Sequence, residues 1–196
     1  MKRFFDLTIS IPSLVLFSPF MLLIFVAVVL DSRGGLFYKQ VRVGKDNRDF
    51  RMYKFRSMKQ GADKEGLLTT NNHEQRITKT GRFLRKWKLD EIPQLINIIK
   101  GEMSLVGPRP EVRKYVDLYT PEQMHVLSVL PGLTDYASLV YINETELLSS
   151  SSNAEQTYIQ EIMPAKLKLN FKYINEQSLS TDIRIILKTI QQILFN

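Results

Sequence analysis

Leu7-Thr-Ile-Ser-Ile-Pro-Ser-Leu-Val-Leu-Phe-Ser-Pro-Phe-Met-Leu-Leu-Ile-Phe-Val-Ala-Val-Val-Leu30 is a run of 24 residues without a charged side chain. As one straight helix it would reach about 36 Å, enough to cross a hydrocarbon layer of about 30 Å. A plain transmembrane anchor is one reading. Ser18-Pro19 at the midpoint supports another, because Pro19 removes a backbone donor and disfavours helical geometry in the residue before it. A serine hydroxyl beside it can bond the freed carbonyl, which makes a bend tolerable in lipid. Positive charge flanks both ends, Lys2 and Arg3 before the run and Arg33, Lys39 and Arg42 after it. Such symmetry fits a segment that enters and leaves by one face. Residues 1–32 are therefore read as a re-entrant helix-break-helix. Val28-Val-Leu-Asp-Ser32 offers no small-x-small cleavage pattern, so the segment is expected to be retained.

Outward from that run, Asp31-Ser-Arg-Gly-Gly35 is a breaker. Leu36–Val43 and Asp49–Arg56 alternate apolar with basic residues around Gly44-Lys-Asp-Asn47, which reads as a hairpin. Residues 60–75 are polar and read as loop. A basic helix is expected over Thr80–Trp87 and a short one over Glu91–Lys100, N-capped by Asp90. Thr120-Pro-Glu-Gln123 has capping-box form, so a helix should run to Val129. Leu133–Tyr141 reads as extended, and Ser149–Asn153 as a flexible stretch. Ala154–Asn175 reads as a helix that Pro164 could bend. A final helix is expected behind a Ser180-Thr-Asp182 cap, with Ile183, Ile186, Leu187, Ile190 and Leu194 in one stripe. An ordinary core-facing helix is the plainer account of that stripe, and an interfacial helix on lipid the other. The predicted class is α+β, mostly helical: the membrane segment, a small β-hairpin and amphipathic helices around one catalytic domain, residues 33–196.

Charge narrows the function. Lys and Arg number 27 against 20 Asp and Glu. Residues 33–59 hold nine bases to two acids, and residues 76–88 six bases to none. Such a field favours a polyanion: nucleic acid, anionic lipid or a phosphorylated substrate. Few aromatic residues interleave with the bases as a stacking platform, which weighs against nucleic acid. No cysteine and only two histidines leave no thiolate chemistry and no histidine-rich metal site. P-loop and dinucleotide-binding glycine patterns are absent.

The candidate chemistry lies in Arg85-Lys-Trp-Lys-Leu-Asp-Glu-Ile-Pro-Gln94 and Gly107-Pro-Arg-Pro110. Adjacent carboxylates beside cations suit metal-assisted phosphoryl transfer, one acid attacking and the other holding a cation. A helix N-terminus and the upstream Arg85 and Lys88 should lower the Asp90 pKa and keep it ionised. Repulsion denies Glu91 the same role, and a hard divalent cation such as Mg²⁺, bridging it to a phosphate, is the natural complement. The two prolines restrict the backbone around Arg109, presenting its guanidinium with little entropy left to lose.

The ordered blocks resemble the bacterial sugar transferases, or monotopic phosphoglycosyl transferases. They are Ser18-Pro19, Gln40–Gly44, Tyr53–Met58, Leu89–Leu95, Gly101–Ser104, Val106–Pro110 and Pro131–Thr134, and they span nearly the whole chain. The resemblance implies a family core without the extra membrane spans of larger members, held on the cytoplasmic face of the bacterial inner membrane by a bend at Ser18-Pro19. It implies that Asp90 attacks the β-phosphate of a UDP-sugar, releasing UMP, and that polyprenol (undecaprenyl) phosphate then takes the sugar phosphate. Glu91 would bind Mg²⁺, and Arg85, Arg109, Lys54, Arg56, Gln94 and Pro108 would engage substrate. An N-acetylated amino sugar as the group transferred, and downstream glycosyltransferases as users of the product, follow by the same analogy. The chain departs from the family's pattern at Thr134–Ser138 and Val140–Asn143, where an expected Gly-Arg-Asn is missing. Either a different sugar or a different source of that charge should result. A glycosyltransferase releasing UDP and a non-enzymatic basic membrane module are the alternatives.

Overall fold

The computed structural model describes residues 1–32, 34–62 and 76–195, so most of the expected 60–75 loop lies outside the described residues. One helix, α1 (Lys2–Asp31), runs without interruption through both Pro12 and Pro19. Two separate half-helices are not resolved. The reason is local: Pro19 cannot donate to the carbonyl of Val15, and the Ser18 hydroxyl donates to that oxygen instead at 2.7 Å.

Both ends of α1 are fastened to the same folded body. At its start Lys2 pairs with Asp182 at 2.5 Å and Arg3 donates to the carbonyls of Ile98 and Ile99. Asp6, almost wholly buried, accepts from the Ser104 hydroxyl and the Leu105 amide. At its end Val28 packs with Phe55 and Leu84, and Asp31 accepts from the Thr80 amide at 2.7 Å. Between these anchors Val15, Leu16, Phe20, Leu22 and Leu23 are exposed. The helix has the length and composition to cross a membrane. Its termini nevertheless return to one body, and its outer face is apolar without a protein partner among the described residues.

Strands β1 (Phe37–Val43) and β2 (Asp49–Phe55) form the expected antiparallel hairpin, with Phe37 opposite Phe55 and Val43 opposite Asp49. Asp46 and Asn47 take left-handed φ in its loop, a conformation their short polar side chains tolerate. Helix α2 (Lys79–Lys86) forms as expected. Leu89–Glu91 is instead a 3₁₀ turn, and α3 (Gln94–Lys100) begins only after Pro93. Asp90 is therefore not its N-cap. Asn97 on α3 behaves as a surrogate strand for β2, accepting from the Tyr53 amide at 3.0 Å and donating to the Arg51 carbonyl at 2.8 Å. That clamp brings Glu91 alongside Lys54.

A second sheet is absent from the sequence reading: β3 (Ser104–Val106) lies parallel to β4 (Gly132–Thr134). Gly107 and Gly132 touch here so closely that a Cβ on Gly132 would come within 2.1 Å of the Gly107 nitrogen. The contact latches the Gly107–Pro110 loop, with Gly107 N donating to Thr134 O and Gly132 N to Pro108 O.

Helix α4 spans Arg113–Val116. Thr120 and Gln123 make both bonds of the capping box, yet the segment that follows, Gln123–Ser128, is 3₁₀ rather than α. The expected extended run 133–141 turns helical after Thr134: α5 (Tyr136–Val140) starts because Asp135 accepts from the Ser138 amide at 2.7 Å. Helix α6 (Glu144–Ser149) precedes the serine run, and Asn153 caps α7 (Ala154–Thr157). A π-turn, Tyr158–Ile162, leads into α8 (Met163–Asn175), where Pro164 falls in the first turn. Helix α9 (Leu179–Phe195) is capped by Ser178, one turn earlier than expected. Asp182 serves Lys2 and Tyr173 instead.

The principal core packs Met52, Ile98, Met103, Val106, Tyr173 and Ile185 against Phe5 and Ile9 of α1. On α9 it is Ile185 that faces inward, while Ile183, Leu187, Ile190 and Leu194 are exposed. Of the expected stripe only Ile186 packs against the core, and the other four residues face outward, as the interfacial alternative has it.

Candidate active site

Lys54 on β2, the acid pair in its 3₁₀ turn and Arg109 in the latched loop converge on one point. Glu91 Oε1 accepts from Lys54 Nζ at 2.8 Å and from Arg109 Nη2, while its Oε2 makes only a 3.4 Å contact with Arg109 Nη1. Glu91 keeps 12% exposure. Burial alone would raise its pKa, but Arg109 and Lys54 together hold it far below the ordinary carboxylate range. Glu91 in turn raises the Arg109 guanidinium, and burial pulls the Lys54 ammonium down against the same carboxylate.

Asp90 is treated differently. It is 5% exposed and its Oδ1 has no hydrogen-bond partner. Burial first, and then the Glu91 charge, push its pKa above the usual value against the pull of Lys54, Arg85 and Lys88. The expectation of a lowered pKa is overturned. It assumed a helix terminus with its free N–H groups, whereas desolvation dominates where the side chain sits. A buried carboxylate oxygen without a partner is rare in folded proteins and calls for an explanation beyond packing.

Arg85 joins the acids from α2, donating to the Ser57 hydroxyl at 3.0 Å, and burial lowers its pKa. Gln94 is buried behind the pair with its amide nitrogen unpartnered. Pro108 contributes the carbonyl that binds Gly132. Arg56 lies elsewhere: its guanidinium caps the end of α1, donating to the carbonyls of Val28, Ser32 and Gly35. Ser18 and Pro19 are exposed on the middle of α1.

A cavity of about 690 Å³ opens beside the acid pair. Glu91, Arg109 and Lys88 line it, while Asp90 itself does not. Further along its polar wall Arg42 pairs with Glu111 at 3.2 Å, Tyr158 donates to Glu111, and Lys166 pairs with Glu144 at 2.9 Å. Burial lowers the Arg42 pKa and Glu111 partly restores it. These five residues were missed as site residues. Arg42 lies inside the Gln40–Gly44 motif and Glu111 directly follows Pro110, whereas Glu144, Tyr158 and Lys166 are brought in by α6, the π-turn and α8 with no local motif. Lys166 brings a cation next to the 140–143 segment that lacks the expected arginine.

A divalent cation fits this donor set in one restricted way. Among the described residues no group of three or more acidic or histidine side chains could hold a metal ion. Glu91 Oε2, whose contact with Arg109 Nη1 is long at 3.4 Å, could supply one ligand. Substrate phosphate and water would complete a Mg²⁺ shell, as is usual for that ion.

The family model described as Bacterial sugar transferase matches residues 1–196. The chain belongs to the bacterial sugar transferase family. It is 39% identical over 196 residues to a UDP-N-acetylgalactosamine-undecaprenyl-phosphate N-acetylgalactosaminephosphotransferase of Aeromonas hydrophila, covering 98% of this chain and 43% of that one. An uncharacterized sugar transferase, EpsL, of Bacillus subtilis (strain 168) is 37% identical over 99% of this chain and 87% of its own. An undecaprenyl-phosphate glucose phosphotransferase of Komagataeibacter xylinus is 34% identical, over 100% of this chain and 36% of its own. This family member thus spans less than half the length of the Aeromonas and Komagataeibacter relatives.

Proposed function

We propose that this chain moves a sugar-1-phosphate from a UDP-sugar to polyprenyl (undecaprenyl) phosphate and releases UMP. The observation that carries this reading is the acid pair, with Lys54, Arg85, Lys88 and Arg109 acting on it, beside a cavity that Glu91, Lys88 and Arg109 line together with many apolar side chains. The sugar-phosphate transferase names of the Aeromonas and Komagataeibacter relatives support it. The donor sugar is taken as an N-acetylated amino sugar on the Aeromonas likeness.

The two carboxylates divide the labour. Asp90, the more basic and the one whose Oδ1 has no hydrogen-bond partner, is the nucleophile: an oxygen attacks the β-phosphorus, the bond to the bridging oxygen of UMP breaks, and an aspartyl phosphosugar forms. Arg109 and Lys88, at the cavity wall, and Lys54 and Arg85, around the acids, neutralise the phosphate charge as it develops. A phosphate oxygen of the polyprenyl acceptor then attacks the same phosphorus and frees Asp90, a ping-pong sequence. Mg²⁺ held at Glu91 would polarise the diphosphate. No other step needs to be assigned to it.

Residues 1–32 serve as the membrane segment and 33–196 as the catalytic part, on the cytoplasmic face of the bacterial inner membrane. The fastening of both α1 termini to one body supports a monotopic, re-entrant seat over a full crossing. Intact-mass analysis during turnover of a UDP-sugar panel tests the chemistry. A phosphosugar adduct lost in Asp90→Asn, with UMP as product, is expected; UDP as product would sink the reading.

A further inference from the structure

Arg109 is carried on a loop held at two ends. The first end is the Gly107–Gly132 latch against β4, beside which the Arg109 amide donates to Asp135 Oδ2 at 3.2 Å. Past Pro110 the chain leaves that sheet, and its course is set from the hairpin. Val43 N donates to the Glu111 carbonyl at 2.9 Å, and Arg42 Nη1 donates to the Pro110 carbonyl at 3.1 Å. The rest of the Arg42 fork is held by Gln40 Oε1, which accepts from Nε at 3.1 Å and from Nη2 at 2.8 Å. Glu111 closes the arrangement. Its Oε1 accepts from Arg42 Nη1 at 3.2 Å and from the Val112 amide at 2.7 Å, and its Oε2 accepts from the Tyr158 hydroxyl.

Tyr158 ties this exit to the C-terminal half of the chain. It opens the π-turn Tyr158–Ile162, a rare widened turn of the kind that frequently marks functional sites. Its buried ring packs on Tyr115 with centroids 4.8 Å apart, so packing fixes where the hydroxyl points. Arg42 and Glu111 keep 20% and 16% exposure, and a polar network so enclosed and so fully bonded is rigid.

We propose that Tyr158, Glu111 and Arg42 are positioning residues for Arg109, fixing the exit of its loop so that the guanidinium meets the phosphoryl group being transferred. The inference rests on the activity proposed above and extends its machinery beyond the groups around the acid pair. With both ends of the loop fixed and Pro108 and Pro110 limiting its backbone, Arg109 needs little reorganisation as phosphate charge develops. Releasing the exit lets the loop pivot about the glycine latch. A small displacement at the reacting phosphorus then slows the chemistry while ground-state binding is largely kept.

Two measurements on the full chain in phospholipid vesicles test this. Because all three residues also line the cavity, direct contact with substrate is the competing account. The first measurement is the burst of UMP released without acceptor, at saturating concentration of the UDP-sugar turned over fastest. Tyr158→Phe, which keeps the ring and removes the hydroxyl, should slow the burst about tenfold and change the UDP-sugar KM less than twofold. In an Arg109→Lys background, where the fork to be positioned is gone, the same substitution should change the burst less than twofold. Arg42→Lys, which keeps the charge beside Glu111 but loses the fork, should repeat both results. A parental burst in Tyr158→Phe, a tenfold loss in both backgrounds, or a KM rise at an unchanged burst would each overturn the inference. The second measurement is amide hydrogen exchange without substrate. In Tyr158→Phe the amides of Val43 and Val112 should exchange about tenfold faster, while those of Gly107, Gly132 and α8 keep their parental rates. Parental exchange at Val43 and Val112 would overturn the inference, and so would faster exchange throughout the chain, which is general loosening rather than release of the loop exit. A parental protein that releases no UMP, with the exchange result as expected, would instead refute the activity and leave the loop clamp standing.

Discussion

Asp90 and Glu91 adjoin in the chain, yet their side chains lie in regions that treat a negative charge in opposite ways. Around Glu91, two cations from β2 and the Gly107–Pro110 loop take up the charge and lock it in place. Around Asp90, burial withholds both water and a full set of partners. The lesson is that adjacent identical functional groups acquire separate roles when the environment drives their proton affinities apart. The Glu91 region holds an electrostatic fixture, and the Asp90 region, in the proposed chemistry, the reactive group.

The comparison breaks most visibly at Asp90. Asp90→Asn should lower UMP release by a factor on the order of 10⁴ or more, as loss of a covalent nucleophile does. Its melting temperature should stay level or rise at neutral pH, because a costly buried charge is removed. Lost stability would place Asp90 with its neighbour as a fixture. Glu91→Gln should behave in the opposite sense. It leaves Lys54 and Arg109 partly buried without their counter-charge, costing about 2–4 kcal/mol in chemical unfolding, short of a fully buried pair because Arg109 keeps some exposure. Unchanged unfolding in that variant would erase the distinction.

A smaller effect sharpens the map of the cavity. Lys166→Met should raise the KM for the UDP-sugar about fivefold with little change in kcat, since Lys166 contributes binding charge away from the reacting phosphorus. A fall in kcat alone would bring it into the chemistry. The smallest effect is in the pH dependence of stability. Glu91 has a depressed folded-state pKa, so its stabilisation is complete above about 4.5 and is lost as pH falls below that value. Asp90 has a raised one, so its contribution favours the fold at low pH and is lost as pH rises through its folded value. Melting curves from pH 3 to 8 should therefore lose their acid-side slope in Glu91→Gln, and their opposing component in Asp90→Asn.

Much of the fold was legible because it is local. The hairpin follows from alternation around Gly44–Asn47, and the Ser18 bond that steadies Pro19 follows from their adjacency. The capping box at Thr120 was legible for the same reason, although capping chemistry did not decide between an α and a 3₁₀ turn. What failed was set by distance. Asp135 starts a helix within a β-like run because β4 ends where it pairs with β3, some 28 residues earlier. Ser178 displaced the expected cap of α9 because Asp182 is taken by Lys2 and Tyr173.

By itself the amino-acid order determined the chemistry on offer: an acid pair among bases, an arginine between prolines, and a charge-free run too long for an ordinary core. It determined family membership too, since motif identity and spacing are properties of the chain. Only the tertiary structure decided which acid is paired with cations and which keeps an unpartnered oxygen, which cations reach them, and that the helices at the two ends of the chain meet around one cavity. The physical reason is that proton affinity and enclosure depend on what surrounds a group in three dimensions. Here Glu91 meets cations 18 and 37 positions away, and the cavity brings together Ile9 and Ile186 from opposite ends of the chain.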